Sequence, residues 1–470
     1  MSYNAIIAKL ENVRKHSNAD RLMVANCLGE QVIVSLESKD GDIVILFPSD
    51  GQLSEKYCYE NNIYNKAELN SDKKSKGYFS ENRRVRTQAF RGEKSEAYVA
   101  PLSTLKFTGY NINKLSVGDS FTDLNGMSIC NKYITEATIR AARANTPKTQ
   151  SGFNKKELKK IFPEHFDTEQ VKYANDYAFL GLNIIAAKLH GTSGRSCYAQ
   201  FPYDIPLTWY ENIWNVFVDE VISGSRHLFN FFIPETKINN LRIHKSFWKW
   251  VYVYGTRKVI KGEAIHGVTD YRTVTHNMFL PYIQKNEYIF YEIVGFEDSG
   301  ASIMQSVSTD QLKPFFDKKE FTNIQNKFGS TIVYKYGCLP NTWDVYVYRI
   351  AHMNEKNELI DYPWSYVKKR CNEMNIKHVP EIEQHLITDV SQVPELRKRI
   401  EYLTNGISLE DPIDNSHIRE GVCVRIEGND GSMKIKKSKN YHFLIMEGVV
   451  KDNGGVDEEE IQSETNEEIN

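Results

Sequence analysis

Lys188 ends an apolar run, Ile184-Ile185-Ala186-Ala187, and Leu189-His190-Gly191-Thr192-Ser193 follows it. The run reads as a buried strand that delivers one lysine to its end. A lysine there is costly to hold unless it is paired or does chemistry. Its chemistry is that of an amine nucleophile, which acts only when deprotonated. Other charged residues interrupt strand-like runs further along. Arg257 closes the alternating stretch Trp250–Thr256. Glu292 stands inside Tyr288–Phe296; either it has a partner, as a buried carboxylate must, or the strand is an edge and Glu292 faces water. Glu420 opens the run Gly421–Ile426. Lys434 and Lys436 fall on one face of a strand over Ser432–Ser438, where two like charges are unfavourable unless an anion or an acid compensates. The neighbouring Lys437 leaves the register of that pair open by one residue.

These residues sit in a chain of 470 residues, enough for two or three domains, with 41% hydrophobic and 26% charged residues, as in ordinary globular proteins. Seven scattered cysteines with no C-x-x-C pair suggest neither a disulfide framework nor a zinc site. The N-terminus has no signal-peptide core, and no run approaches a membrane span, so a cytoplasmic protein without a membrane partner is expected. The net charge is −2, but eight acidic residues and no basic ones lie in 452–470. This block reads as a solvated, disordered tail, and the rest of the chain carries 59 basic against 53 acidic residues, a balance that permits a polyanionic partner.

Residues 1–124 read as short strands punctuated by turns at Asp40-Gly41, Asp50-Gly51 and Gly118-Asp119. About five strands in this length suggest a small barrel of the oligonucleotide-binding (OB) type. The candidates are Ala5–Leu10, Leu22–Cys27, Gln31–Ser35, Asp42–Phe47, Arg84–Phe90 and Ala97–Leu102. Lys73, Lys74, Lys76, Arg83, Arg84, Arg86, Arg91 and Lys94 cluster with Tyr78, Phe79 and Phe90. That mixture suits a groove tracking a nucleic-acid strand, and equally a solvated barrel face over core aromatics. Residues 125–180 read as a connector in which Arg140, Arg143, Lys148, Lys155, Lys156, Lys159 and Lys160 lie close together with only Glu157 among them to oppose. From 181 to 451 strands alternate with longer polar or helical segments, an α+β pattern.

Taken in order, the charged residues resemble the motifs of the covalent nucleotidyltransferases, the superfamily of ATP-dependent ligases and capping enzymes. Lys188-Leu189-His190-Gly191 is similar to motif I, in the form found in RNA ligases, since DNA ligases and capping enzymes usually carry Asp where His190 stands. Trp250–Arg257 resembles motif Ia, Tyr288–Phe296 motif III, Asp344–Ile350 motif IIIa, Glu420–Arg425 motif IV and Ser432–Ser438 motif V. His16–Leu22 is similar to a stretch of tRNA-binding OB modules, and Phe162–Gln170 to RNA ligases with an N-terminal OB module.

The resemblance implies an N-terminal OB-like barrel followed by an adenylyltransferase domain of antiparallel sheets flanked by helices. Lys188 would attack ATP and carry AMP, His190 would position the leaving group, and Gly191 would belong to the nucleotide site. Arg257 would face the nucleotide and the nucleic-acid end, Glu292 would hold the ribose, and Tyr348, rather than Tyr346, would stack on the purine. Glu420 would hold a divalent metal, Mg2+ or Mn2+, and Lys434 and Lys436 would hold phosphate; these cations and the metal would also favour the deprotonated amine of Lys188. Only 34 residues follow Lys436, too few for a C-terminal barrel. This favours an RNA ligase of RNA repair that seals 3′-OH to 5′-phosphate ends at nicks in RNA or RNA/DNA duplexes, working as a monomer. The 69-residue interval from Lys188 to Arg257 implies an insertion, placed within Trp209–Pro234. The alternatives are a capping guanylyltransferase, a DNA ligase, or a non-catalytic RNA-binding protein with a decayed ligase domain.

Overall fold

The computed structural model describes residues 3–49, 51–90, 93–134, 160–166, 168–204, 207–218, 243, 245–257, 260–262, 271–405 and 410–447. Residues 135–159 of the basic connector and the whole acidic tail lie outside them. Among the described residues no helix is long and apolar enough to cross a membrane.

In the N-terminal part, β1 (Ala5–Lys9) runs into β2 (Glu11–Lys15) across buried Leu10. β3 (Leu22–Cys27), β4 (Glu30–Ser35), β5 (Ile43–Pro48), β6 (Ala97–Pro101) and β7 (Ser120–Phe121) follow. One antiparallel sheet has the order β6-β5-β1-β7 and another the order β2-β3-β4. They join where β1 becomes β2, and they approach again beside β4. There Glu96 N–H donates to Gln31 O (2.8 Å) and Ile33 N–H donates to the Ser95 hydroxyl (3.1 Å). That second junction is not a ladder, because Glu93–Ser95 pairs with Gln88–Phe90 instead. The expected OB-like barrel is therefore not closed by hydrogen-bonded strands. β2 has no apolar alternation to announce it; its pairing with β3 holds it.

The larger part is α+β, with two mainly antiparallel sheets. The first contains β8 (Gly181–Lys188), β15 (Glu381–Ile387), β16 (Gly421–Glu427) and β17 (Met433–Lys439) in the order β17-β16-β8-β15, with the short strand Glu169–Gln170 parallel to β17. The second contains β9 (Thr192–Asp204), β10 (Ser246–Thr256), β11 (Ile260–Gly262), β12 (Glu287–Gly295), β13 (Trp343–Met353) and β14 (Leu359–Asp361) in the order β11-β10-β9-β12-β13-β14. The helices are α1 (Trp209–Phe217), α2 (Tyr271–Phe279), α3 (Lys318–Phe328), α4 (Trp364–Met374), α5 (Val393–Asn405) and α6 (Tyr441–Met446).

Strand alternation decides which residues of the first sheet meet the second. Ile185, Val422, Val424 and Ile426 pack with Leu396 and Ile400 of α5 in one core. Their neighbours Ile184, Ala186, Lys188, Cys423 and Arg425 therefore face the other way. Part of the interval between Lys188 and Arg257 is a long hairpin. β9 and β10 pair from Gly194↔Thr256 out to Asp204↔Ser246, whereas β9 pairs with β12 only over Thr192–Cys197. α1 follows the hairpin strand; residues 219–242 lie outside the described ones.

Candidate active site

The two sheets enclose a cavity of about 160 Å³. Lys188, Gly191, Arg257, Glu292 and Tyr348 all line it, together with His165, Thr168, Cys423, Arg425 and Lys437. Five of the residues singled out from sequence thus converge from four separate segments. Tyr348 meets Ser193 hydroxyl to hydroxyl at 2.9 Å, and burial raises its pKa. Tyr346 is buried in the main core instead. Gly191 is required by close approach: a Cβ there would lie 2.4 Å from Ile293 O and 3.0 Å from Glu292 Cγ. The turn after Lys188 thereby lies against the strand that carries Glu292.

At one end of the cavity Lys188 forms an ion pair with Glu420, whose side chain is fully buried. Lys439 Nζ reaches the same Glu420 oxygen at 3.2 Å and Glu447 at 3.0 Å. Strand pairing explains the meeting, since Gly421 sits opposite both Lys188 and Lys439. Gly421 has a φ of +151°, and a Cβ on it would stand 2.1 Å from Ser438 O. The glycine is thus what lets β17 press close beside Glu420. His190 is buried: its N–H donates to the Tyr336 hydroxyl (2.6 Å), and its ring packs edge-on against Tyr334 and Phe443.

Ligand atoms of His190, Glu420 and Glu447 lie within 4.8 Å of one another. The second carboxylate oxygen of Glu420 is buried without a hydrogen-bond partner. Two carboxylates, one with an unsatisfied buried oxygen, beside an imidazole fit a divalent cation.

The expected phosphate lysines are placed differently. Lys434 is exposed and Lys436 forms an ion pair with Glu169; neither lines the cavity. β17 instead turns Lys437 and Lys439 inward, beside Cys423 and Gly421 respectively. β17 contains two K-x-K patterns, Lys434-Ile435-Lys436 and Lys437-Ser438-Lys439. The useful signal was the apolar Ile435, which shares the inward face with Lys437 and Lys439. Glu447 had no pattern to reveal it, because its approach depends on the turn into α6.

His165 was not singled out individually from sequence. Burial, then Arg349, Arg257 and Arg195, hold its pKa well below the usual histidine value, so it is neutral. Its Nε2 is buried without a hydrogen-bond partner.

No protein-family model and no curated protein matches the chain. Among solved structures, Naegleria gruberi RNA ligase with PPi matches with a TM-score of 0.52 at 14% identity, over 94% of this chain and 97% of that one. A mutant of the same ligase without ligand gives a TM-score of 0.53 at 14% identity, over 94% and 98%. A mutant with ATP and Mn gives 0.52 at 14% identity, over 94% and 98%. At this identity the likeness is one of fold.

Proposed function

We propose that this chain is an ATP-dependent RNA ligase that joins RNA 3′-OH to 5′-phosphate ends at nicks, through a lysyl-AMP. The supporting observation is that Lys188, Arg257, Glu292, Tyr348 and Lys437 line one cavity, and that Lys188 shares Glu420 with Lys439. The likeness in fold to an RNA ligase whose structures contain ATP and Mn supports the same reading. The division proposed with it is an OB-like module at 1–124, a connector, a ligase domain at 181–451 and an acidic tail.

Lys188 must first give up its ion pair with Glu420 and lose a proton. Its Nζ then attacks the α-phosphorus of ATP, a P–N bond forms, and pyrophosphate leaves with the electron pair of the broken P–O bond. Lys437 and Lys439 are placed to stabilise negative charge on the transferred phosphate, taking the role first expected of Lys434 and Lys436. Arg257 and Glu292 hold the sugar and phosphate, and Tyr348 stacks on the base. Glu420, His190 and Glu447 would hold a divalent metal, which when bound supplies charge neutralisation and orients the pyrophosphate. An RNA 5′-phosphate oxygen next displaces Lys188 from the α-phosphorus. The 3′-OH then attacks the activated 5′-phosphate and releases AMP.

The test is incubation with labelled ATP or GTP and Mg2+ or Mn2+, followed by sealing of four matched nicks with RNA or DNA on either side. Acid-labile, base-stable label from ATP and a requirement for RNA on the 3′-OH side are expected. Label from GTP alone would favour a capping guanylyltransferase, equal sealing of an all-DNA nick a DNA ligase, and no label a non-catalytic protein.

A further inference from the structure

The interval between Lys188 and Arg257 carries a helix that is inside out. On α1 and just after it, Glu211 and Val218 are buried and Asn215 is half-buried. Glu211 forms an ion pair with Lys245 and accepts from the Thr208 N–H (2.9 Å) and hydroxyl (2.8 Å). The Asn215 side chain donates to Ile243 O at 3.0 Å and accepts from Ile243 N–H at 2.8 Å. These bonds clamp the polar side of α1 inward. At about 100° per residue, Trp209, Tyr210, Ile213, Trp214, Val216 and Phe217 fall on the opposite side, in one stripe roughly 160° wide. They are 43–75% exposed. A surface helix normally buries such a stripe and turns its polar side to water.

The hairpin carries this face clear of the body. β9 pairs with β12 only as far as Cys197, and β11 pairs with β10 only at Tyr254 and Gly255. Among the described residues, Ala199–Asp204 therefore run on for roughly 20 Å with β10 as their one ladder partner. Phe247 and Trp248 add one exposed ring to each face of that end. Aromatic side chains bury about 150–250 Å² each, so at their exposures the six side chains of α1 present roughly 700 Å². One ring of the hairpin brings the patch near the about 800 Å² that each partner gives to a standard protein interface. An exposed apolar patch of this size marks an interaction site.

What fits the patch follows from its charge. The six side chains carry none, so the stripe has nothing to neutralise the phosphates of a nucleic acid. Helices that lie on membranes set lysines and arginines beside their apolar face. α1 contains neither, and the neighbouring Lys245 is tied to Glu211. A second copy of the same face meets it without like-charge repulsion, and a two-fold dimer needs only one patch used twice. We infer that the outer face of α1 pairs with the same face of a second copy of this chain. The chain is then a dimer, in place of the monomer expected from its sequence. The contact lies at the far end of the hairpin, roughly 30 Å along the strands from Gly194, and the inference does not rest on the nucleotide reading of the cavity.

The test is sedimentation equilibrium of the full chain. At about 10 µM the mass should be that of two copies, since interfaces of standard size hold at micromolar concentration or below. Ile213→Asp, in the middle of the stripe, should raise the dissociation constant by at least about thirtyfold, the scale of one hot spot. Leu339→Asp, which changes an apolar residue equally open to water but outside α1, should leave it unchanged. A dimer that survives Ile213→Asp uses another surface and overturns the inference. So does a chain that stays monomeric at about 100 µM, whether its α1 face then proves to be covered by another segment of the chain, to take up phosphatidylserine vesicles or to bind single-stranded RNA. If Ile213→Asp does not fold, chemical cross-linking of the unaltered chain decides: cross-links between copies should map to 209–217 and 245–249, and cross-links confined to other surfaces overturn the inference.

Discussion

Two buried glutamates invite comparison, one at the seam between the N-terminal strands and the larger part, the other at the reactive end. Glu30, 5% exposed, is held by Lys172 and by the Tyr173 hydroxyl at 2.7 Å. Glu420 is held by Lys188 and Lys439. Each has one oxygen without a hydrogen-bond partner. The difference lies in the surroundings. The Lys172 side chain is 46% exposed, so its charge stays largely in water, whereas Lys188 and Lys439 are 17% and 5% exposed. A second carboxylate and a histidine also converge on Glu420. A buried ion pair alone can be a clasp between segments. Several buried charges of both signs beside a cavity are expensive to assemble without a polyanionic or metal ligand to complete them.

The largest expected effect separates the two glutamates. Glu420→Ala should slow covalent AMP labelling by at least a factor on the order of 100, the scale for losing one preorganised charge. Glu30→Ala should leave labelling within about threefold and reduce nick sealing more than labelling, as a positioning contact would. Equal losses of labelling rate would erase the distinction. The lysines on the two faces of β17 sharpen it. Lys437→Ala and Lys439→Ala should each cost labelling about as much as Glu420→Ala, with Lys434→Ala near wild type. The reverse pattern would mean that β17 works in the other register.

A smaller effect concerns acid. In the larger part, burial pushes His276 down to about 3 and His417 down to about 4. His417 packs against Tyr334 and Tyr336, beneath His190. An unfolded histidine takes its proton near pH 6.5 and the buried one does not. Stability is therefore full above pH 6.5 and declines as pH falls toward 4 and then 3, by up to a few kcal/mol per histidine. Thermal melting between pH 7 and 4 should show a falling Tm; a flat Tm over that window would show that these rings are not held neutral.

The chain announced much of the site because each motif is a strand in which apolar alternation breaks at a single charge. Lys188, Arg257 and Glu292 were legible for that reason and Tyr348 through its motif resemblance, and the structure brings all four to one cavity. β17 was not, because four lysines within Met433–Lys439 offer two inward pairs and only pairing with β16 chooses between them. Glu447 was hidden for another reason: it reaches Glu420 and His190 from a distant segment, which no local pattern records. In the N-terminal part the strands were visible but their closure was not, since the pairing of Gln88–Phe90 with Glu93–Ser95 takes up the bonds that a closed barrel would need.

The most direct measurement of the central claim uses Lys188→Ala with two nicked RNA substrates, one with a plain 5′-phosphate and one already carrying 5′-AMP. In the proposed mechanism the amine acts only in taking AMP from ATP. The variant should therefore accept no AMP and leave the plain nick open, yet still seal the pre-adenylylated nick. Covalent labelling of Lys188→Ala by ATP, or ATP-dependent sealing of the plain nick at the wild-type rate, would contradict it.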